Sequence, residues 1–293
     1  MWGIFVRYDS QGEDHVATSS HDCTVKVWDV HSGRCRATFR SGSTQMMLGV
    51  DIIGELVAGC STDKTSKIWN LRTGRLIHHL VGHAHKINCL RFCPDARAVV
   101  TASHDRSLKL WDIARNTYRQ TTTMRHGSSS NCIDISADVS TVVSGHVDGG
   151  LRFFDLRTGD RTADIPSLHA GCITSVGFDP MDSRKILTNG KDSMLKIVDV
   201  RMCRAVKTFE DEGFRTTLSN SRCSFSPDGN YVTAGCNQSG TLFIWKVESE
   251  SGEVEKKLTT HQKGCVGVAW GRGGSSGQQV ASIDLGGNLV LWA

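Results

Sequence analysis

Seven copies of one short segment recur along this 293-residue chain at nearly even spacing. Each copy runs from a polar turn into a strand of alternating side chains that usually ends in an aromatic residue, in several copies followed by Asp, as in Thr24–Asp29 and Ser107–Asp112. Successive markers, the aromatic residue or the residue in its place, are 41, 42, 43, 44, 47 and 47 residues apart. The markers stand at positions 28, 69, 111, 154, 198, 245 and 292. A unit of four strands needs roughly this length, about 40–45 residues.

The repeat predicts an all-β chain that folds as one seven-bladed β-propeller. A single blade of four strands cannot bury both of its faces, so the copies must stack on one another and close into a ring. The third repeat supports this interpretation, because it contains four short segments with the period of two that strands show. We therefore predict one domain whose blades cover about 1–40, 41–81, 82–124, 125–166, 167–210, 211–260 and 261–293.

The last blade is predicted to lack its outer closing strand. It supplies strands near Val266–Ala269 and Val280–Ile283 and a third that ends at Trp292, where the sequence stops. At the other end, Trp2–Tyr8 is predicted to be an inner strand, and no spare strand precedes it. Without a closing strand, Leu289–Trp292 would be an exposed apolar edge, which promotes aggregation. We therefore expect the chain to be a fragment of a longer protein.

The composition narrows the possible functions. A net charge of +4 is too small to indicate nucleic acid as a partner. The 11 cysteines are irregularly spaced without a Cys-x-x-Cys pair, so neither a zinc site nor a cofactor is expected. The sequence has no run of 18 apolar residues and no signal peptide, which argues against direct insertion into a membrane. We expect a cytoplasmic protein with free thiols.

The strands that end in Trp-Asp resemble the repeats of the WD40 family, and the resemblance covers the whole chain. In such repeats a His, a Ser, an Asp and the Trp form a hydrogen-bonded tetrad in which each buried polar group has a partner. The resemblance implies that the Asp orients the His, the His contacts the Ser, and the Ser reaches the indole N–H. Because only the third repeat has all four in sequence, we predict that its blade is the most rigid. The predicted tetrad is His83, Ser103, Asp105 and Trp111.

Ser103-His104-Asp105 also has the residue types of a catalytic triad. Adjacent residues in a tight turn cannot place a nucleophile, a base and an orienting acid in line, so we do not interpret them as catalytic. An enzyme of propeller fold would need acidic or His residues converging on the axis, whereas the inner strands carry mostly apolar residues, Asn and Cys. We therefore predict a protein that is not an enzyme.

The residues just before the turn aspartates are predicted to form a partner-binding rim. A turn tip cannot be buried, so these residues project on one rim around the axis. Exposed loops on a rigid scaffold commonly carry function, and propellers commonly bind peptides on such a rim. The residues are His21, Thr62, His104, Val147 and Lys191.

Three arginines support an alternative function. Arg72, Arg157 and Arg201 each follow a marker by three places. This pattern resembles the Trp-Asp-x-Arg box of WD40 substrate receptors of cullin–RING ubiquitin ligases. The alternative is therefore a substrate receptor of such a ligase.

Several departures from the WD40 consensus occur together and resemble the C-terminal propeller of the autophagy-related protein 16-like family. The most specific is Val198, which replaces the marker Trp within its repeat. The segments that carry the resemblance are Ser144–Arg157, Leu195–Arg201, Phe225–Val232, Val266–Trp270 and Val290–Ala293.

This resemblance implies a scaffold for a ubiquitin-like conjugation complex, peripheral at the forming autophagosome membrane. In that family an N-terminal helix binds the conjugate and a coiled coil dimerises, and neither segment is present in this sequence. Binding of the conjugation machinery and dimerisation are therefore expected only through those segments. The propeller itself recruits partners to membranes, in some animal members through an aromatic residue and a lysine. The matching positions are Val147 and Cys172, so we add Cys172 to the predicted rim.

Overall fold

The computed structural model shows a ring of antiparallel sheets and describes residues 3–10, 14–115, 117–249, 252–271 and 278–292. Over these residues the chain forms 27 strands in seven sheets and no helix. In each sheet the strands follow sequence order from the inner strand outward. The predicted all-β, seven-bladed propeller is confirmed. No helix long and apolar enough to cross a membrane occurs in the part of the chain that the structure describes.

The strands of the first four blades are listed from the inner strand to the outer one. They are β1 (Gly3–Tyr8), β2 (His15–Ser20), β3 (Thr24–Asp29) and β4 (Cys35–Arg40); β5 (Met47–Ile53), β6 (Leu56–Ser61), β7 (Thr65–Asn70) and β8 (Leu76–Val81); β9 (Ile87–Phe92), β10 (Ala98–Ser103), β11 (Ser107–Asp112) and β12 (Arg119–Arg125); and β13 (Ser130–Ile135), β14 (Thr141–His146), β15 (Leu151–Asp155) and β16 (Arg161–Ile165).

The last three blades follow the same order. They contain β17 (Ile173–Phe178), β18 (Lys185–Gly190), β19 (Leu195–Asp199) and β20 (Arg204–Phe209); β21 (Cys223–Phe225), β22 (Tyr231–Gly235), β23 (Thr241–Lys246) and β24 (Val254–Thr259); and β25 (Cys265–Gly271), β26 (Gln279–Asp284) and β27 (Leu289–Trp292).

The ring closes through its inner strands. Neighbouring inner strands pack on one another from β1 through β25, and β25 packs in turn on β1. Among the described residues the seventh sheet has three strands, whereas the other six have four. The edge strand β27 is half-buried along its length. Trp2 and Ala293, which the sequence placed in the first and last strands, lie outside the described residues.

One irregularity recurs at the marker positions. In each of the six four-stranded sheets, the pairing of the third and fourth strands shifts register just before the marker, as between Leu110 and Trp111. Opposite that pair, Thr122 and Gln120 are the partners and the outer strand carries one extra residue. Such a bulge increases local twist, so the six blades share a common twist around the axis.

The core lies between the faces of adjacent sheets. The markers Trp111, Phe154, Val198 and Trp245 are at most 1% exposed. Phe39 of blade 1 stacks on the marker Trp69 of blade 2 at a centroid distance of 5.4 Å. Fully burying an aliphatic or Phe side chain stabilises by about 1.5–3 kcal/mol, so the markers hold the blades together. The outer strands, by contrast, are mostly exposed.

Candidate partner-binding rim

One face of the ring, here called the rim face, carries the turns between second and third strands together with the loops between blades. The opposite basal face carries the turns between first and second and between third and fourth strands. On the rim face, the backbone N–H of the residue before the turn tip donates to a carbonyl of the preceding interblade loop. These bonds are Thr62 to Met46 (3.1 Å), His104 to Lys86 (3.0 Å), Val147 to Ser129 (3.0 Å) and Lys191 to Cys172 (2.9 Å). The bonds fix these four predicted rim residues to the loops beside them.

Two blades have an equivalent rim residue that the sequence pattern did not identify. The N–H of Asn237 donates to Arg215 and that of Leu285 to Gly264, each at 3.0 Å. Asn237 is 8% exposed, and its side-chain oxygen accepts from the N–H of Thr217 and from the hydroxyl of Ser221. These two positions are identified only by the backbone bond to the preceding loop. That bond depends on the fold and has no signal in the sequence.

In four blades the turn is held rigid by an Asp that caps its own turn. The carboxylates of Asp22, Asp63, Asp105 and Asp148 accept from the N–H two residues further on, at 2.9–3.0 Å. The residue after the Asp lies in the left-handed region, with φ of 70° at Lys64 and 65° at Arg106. An Asx turn of this kind holds the turn tip in one conformation.

Most of the predicted rim residues are accessible. His21, His104, Val147 and Lys191 are exposed, and Val147 is an apolar side chain that is 48% exposed. Thr62 is half-buried and donates to the side-chain oxygen of Gln45 at 3.0 Å.

Cys172 corrects the prediction, because it is only 8% exposed. Its thiol donates to the Ile173 carbonyl, and its own carbonyl accepts the Lys191 N–H. Burial raises the pKa of this thiol. Cys172 therefore offers a partner little surface, and its accessible neighbour on the rim is Lys191.

Blade 3 makes the rim locally basic and aromatic. The rings of His85 and His104 lie 4.7 Å apart at a tilt of 51°. Burial lowers the pKa of His104, and the nearby charges of Lys86, His85 and Arg106 lower it further. His104 is therefore neutral near pH 7, and beside the Arg106 cation it offers a partner a ring that can donate or accept a hydrogen bond.

The predicted tetrad of blade 3 exists, but its hydroxyl belongs to Thr101. The indole N–H of Trp111 donates to the Thr101 oxygen at 2.8 Å, and the Thr101 hydroxyl lies 2.7 Å from Nε2 of His83. His83 Nδ1 lies 2.7 Å from the Asp105 carboxylate, which fixes the direction of the chain of hydrogen bonds. Burial raises the pKa of Asp105, but the hydrogen bonds from His83 and Ser107 outweigh it and hold that pKa well below its usual value.

Ser103 has a different role from the predicted one. It lies two residues nearer the rim on β10, where its hydroxyl faces the carbonyls of His85 and Lys86 at 3.1 and 2.9 Å. It also accepts the Asp105 N–H at 3.1 Å. The antiparallel register puts Trp111 opposite Val99. The indole therefore reaches Thr101, two residues further along β10, and not Ser103, four residues further along.

A second set of His, Ser, Asp and Trp comes together in blade 7, although Nδ1 of its buried His261 makes no hydrogen bond among the described residues. In blade 7, His261 lies 2.7 Å from the Ser282 hydroxyl and 3.3 Å from Asp284, and the Trp292 indole donates to Ser282 at 2.8 Å. The sequence pattern missed this network because Asp284 stands two places before the usual turn position. Blade 5 has the same arrangement without the indole, formed by His169, Thr188 and Asp192 with Val198 as the marker.

The ligase-type arginines lie on the basal face. Arg72 pairs with Glu55 at 3.4 Å, and the backbone N–H groups of Arg157 and Arg201 donate to Asp155 and Asp199 at 2.8 Å. These turns stand on three different blades. Among the described residues, no cluster of three or more His, Cys, Asp or Glu side chains is arranged to hold a metal ion.

The repeat family is also recognised in the sequence itself. The family profile described as "WD domain, G-beta repeat" matches residues 8–29, 74–112 and 216–246. Seven antiparallel blades that carry these repeats define a WD40 propeller.

Similar proteins cover most of this chain. "Protein tipD" of Dictyostelium discoideum is 36% identical over 252 residues, which are 85% of this chain and 40% of that protein. "Autophagy-related protein 16" of Arabidopsis thaliana is 30% identical over 277 residues, 94% of this chain and 52% of that protein. "Autophagic-related protein 16.2" of Caenorhabditis elegans is 28% identical over 290 residues, 96% of this chain and 52% of that protein. The chain thus spans about half the length of the curated relatives it matches. Within the WD40 propellers, it belongs to the autophagy-related protein 16-like family.

Proposed function

We propose that this propeller is a non-enzymatic adaptor that docks partner proteins on its rim face. The observation that carries the proposal is the set of exposed side chains held by backbone bonds to the interblade loops. A binding surface that is rigid before the partner arrives loses little conformational entropy on binding. Val147 supplies an apolar contact, while His104 and Lys191 supply polar and charged ones. Mixed surfaces of this kind are typical of protein interfaces.

The setting we propose is autophagosome assembly in the cytoplasm, at the periphery of the forming membrane. The Arabidopsis relative named "Autophagy-related protein 16" aligns with 94% of this chain and supports this setting. In our proposal, the propeller recruits membrane-associated partner proteins. The proposal assigns neither contact with the conjugation machinery nor dimerisation to the propeller. The relatives' names do not favour the ligase-receptor alternative.

A chimera tests the proposal. This chain replaces the matching segment of Arabidopsis autophagy-related protein 16 in plants that lack it, and autophagic flux is measured. We expect the chimera to restore flux and the rim variant Val147→Asp to lower it at least fivefold, because a buried charge without a partner opposes docking.

The matched control is Met181→Asp, which places the same charge at a side chain that is 70% exposed on the basal face. Full restoration by this control is expected. Full restoration by Val147→Asp together with loss of flux in Met181→Asp would move the docking surface to the basal face and contradict the proposal.

A further inference from the structure

The inner strands place one ring of residues around the axis at the same height. In each blade, the member of this ring on the inner strand pairs with a residue of the second strand, which in turn pairs with the residue just before the marker on the third strand. The seven positions are therefore structurally equivalent. All of them line a cavity of about 440 Å³ that reaches the turns of the basal face. This channel ring consists of Arg7, Asp51, Arg91, Asp134, Gly177, Ser224 and Ala269.

Four charges alternate in the first half of the channel ring, so the inner strands bring acidic residues to the axis, contrary to the expectation from the sequence. Arg91 lies 3.5 Å from Asp51 and 3.0 Å from Asp134, so both of its carboxylate partners are close. Arg7 lies 3.8 Å from each of the same carboxylates, beyond hydrogen-bond distance. The two carboxylates instead accept the backbone N–H groups of Phe92 and Phe178, each at 2.8 Å. Arg7, a quarter of whose side chain is exposed, is therefore the less firmly held of the two arginines.

A third arginine crosses the channel next to this ring. Arg222 of blade 6 is 6% exposed and lines the same cavity. Its guanidinium donates to the Thr174 carbonyl of blade 5 at 2.7 Å and lies 4.4 Å from the ring centroid of Phe5 of blade 1. Among the described residues, no carboxylate lies within ion-pair distance of Arg222, and its Nε–H has no acceptor. A buried guanidinium without a counter-charge is costly, so this geometry leaves a cation unmatched.

A second donor stands beside Arg222. The Ser175 oxygen accepts the Cys223 N–H at 3.3 Å, and its hydroxyl also forms a hydrogen bond with the Cys223 thiol, which lowers the pKa of that thiol against the larger raising effect of burial. The positive charges of Arg222 and Arg7 both lower the pKa of the Cys89 thiol, although burial raises that pKa by more. Their charges therefore converge on one stretch of the channel. The cavity also carries Asp9, which lies at the basal end and accepts the Gly54 N–H at 2.9 Å.

We propose that the channel is a binding site for a small oxyanion, a phosphate or carboxylate group that enters from the basal face and pairs with Arg222. Arginine presents planar donors that match an oxyanion, and a buried serine hydroxyl adds a further hydrogen bond. The ligand is a small solute, since the volume of the cavity suits a small molecule. The site is distinct from the rim face, so a partner protein and the oxyanion can bind together.

The site has a defined pH dependence. Burial raises the pKa of Asp51 to about 7, in spite of Arg7 and the Phe92 N–H, and burial also raises the pKa of Asp134. As the pH falls from 8 to 6, protonation of Asp51 removes a negative charge beside the site. The other charged groups that line the channel are Arg7, Arg91, Arg222 and Asp9. Oxyanion affinity is therefore expected to rise as the pH falls.

Calorimetric titration of the purified chain at pH 6 tests the proposal, with inorganic phosphate as one probe and acetate as the other, each against sodium chloride at equal ionic strength. We expect saturable binding of at least one oxyanion. The probe that binds more tightly shows whether the site prefers a phosphate or a carboxylate group. Arg222→Gln is expected to weaken that binding at least tenfold. Arg157→Gln removes an exposed charge outside the cavity and is expected to change nothing.

Ser175→Ala provides a second variant if Arg222→Gln does not fold, with an expected loss of about threefold to tenfold in affinity. The proposal is overturned if neither oxyanion binds more tightly than chloride. It is overturned equally if Arg222→Gln folds and binds with unchanged affinity, or if Ser175→Ala is the only folded variant and leaves the affinity unchanged.

Discussion

Blades 3 and 4 are neighbours that both have a His, a hydroxyl residue and an Asp at three network positions but differ in their hydrogen bonds. His126, Ser144 and Asp148 of blade 4 occupy the positions of His83, Thr101 and Asp105 of blade 3. In blade 3 the carboxylate holds the imidazole at 2.7 Å. In blade 4 the carboxylate pairs instead with Arg152 at 2.6 Å, and His126 contacts the Ser128 carbonyl at 2.5 Å.

The cause is the residue between the hydroxyl and the turn. Blade 3 has Ser103 there, blade 5 has Gly190, and blade 4 has the much larger His146. In blade 5 an added Cβ at Gly190 would lie 2.3 Å from Nδ1 of His169, so the contact between His and Asp needs a small side chain at this place. In blade 4 the His146 side chain fills this place. Its ring centroid lies 4.4 Å from that of His126, and its Nε2 lies 2.7 Å from the Ser144 hydroxyl.

A buried network can therefore be redirected by the side chains around it without a change of fold. Both blades keep four strands and the same bulge. What changes is which groups are left without a partner and how the blade responds to pH. His126 keeps a buried Nε2 with no acceptor or donor, whereas every member of the blade 3 chain is bonded.

Thr101→Val is expected to have the largest effect. It leaves His83 Nε2 and the Trp111 indole buried without a partner, and we expect a loss of about 2–4 kcal/mol in the free energy of unfolding. Ser144→Ala in blade 4 leaves only Nε2 of His146 without a partner, because the marker Phe154 has no N–H. The expected loss is about half as large. Denaturant unfolding of both variants makes the measurement, and equal losses would contradict the difference we describe.

Gly190→Ala comes next. Its Cβ would lie 2.3 Å from His169 and 2.5 Å from the Asp192 carboxylate, so the blade 5 pair must shift to make room for it. We expect destabilisation of about 2–3 kcal/mol. Gly127→Ala is the matched control, because a Cβ there meets nothing within 4 Å. If the two variants unfold at the same denaturant concentration, the requirement for a small residue is wrong.

The effect of pH on the stability of blade 4 is expected to be smaller than the effects of Thr101→Val and Gly190→Ala. Burial lowers the pKa of His126 to about 4 and that of His146 to about 3, the latter helped by the charge of His126. The unfolded chain therefore binds protons more readily below about pH 6.5, so folding stability is complete above that pH and falls as the pH drops toward the folded pKa values. We expect His146→Asn to reduce the loss between pH 7 and 5 by about 1–2 kcal/mol.

Urea unfolding at each pH measures this loss. His79→Gln, at an exposed position on an outer strand, is the control and should leave the slope of stability against pH unchanged. A slope that is the same in His146→Asn and in the unsubstituted chain would contradict the assignment of this titration to blade 4.

Asp148→Asn is expected to have the smallest effect. The Asp148 side chain is 42% exposed, so its pair with Arg152 should contribute only about 0–1 kcal/mol. Asp105→Asn in blade 3 replaces a carboxylate whose two oxygens both accept hydrogen bonds with a neutral amide that has one acceptor oxygen, and it should cost about 1–3 kcal/mol. Thermal unfolding of the two variants distinguishes them, and a larger loss for Asp148→Asn would reverse our ranking of the blades.

The sequence predicted the ring because every blade repeats the same marker, turn and alternation. It did not predict the hydroxyl at Thr101, because Thr101 and Ser103 share a strand face and only the register separates them. Nor did it identify the network of blade 7, where Asp284 lies outside the repeated turn position. The accessibility of Cys172 depends on the loop before β17, which the repeat does not encode.

Site-specific photo-crosslinking tests the central claim, that the rim face is the docking surface. A photoreactive residue is introduced into the chimera at Thr62, Val147 or Lys191 on the rim face, and at Arg72, Met181 or Met202 on the basal face. The account predicts that the rim positions capture the same partner protein and that the basal positions capture none. Capture of that partner from the basal positions alone would contradict it.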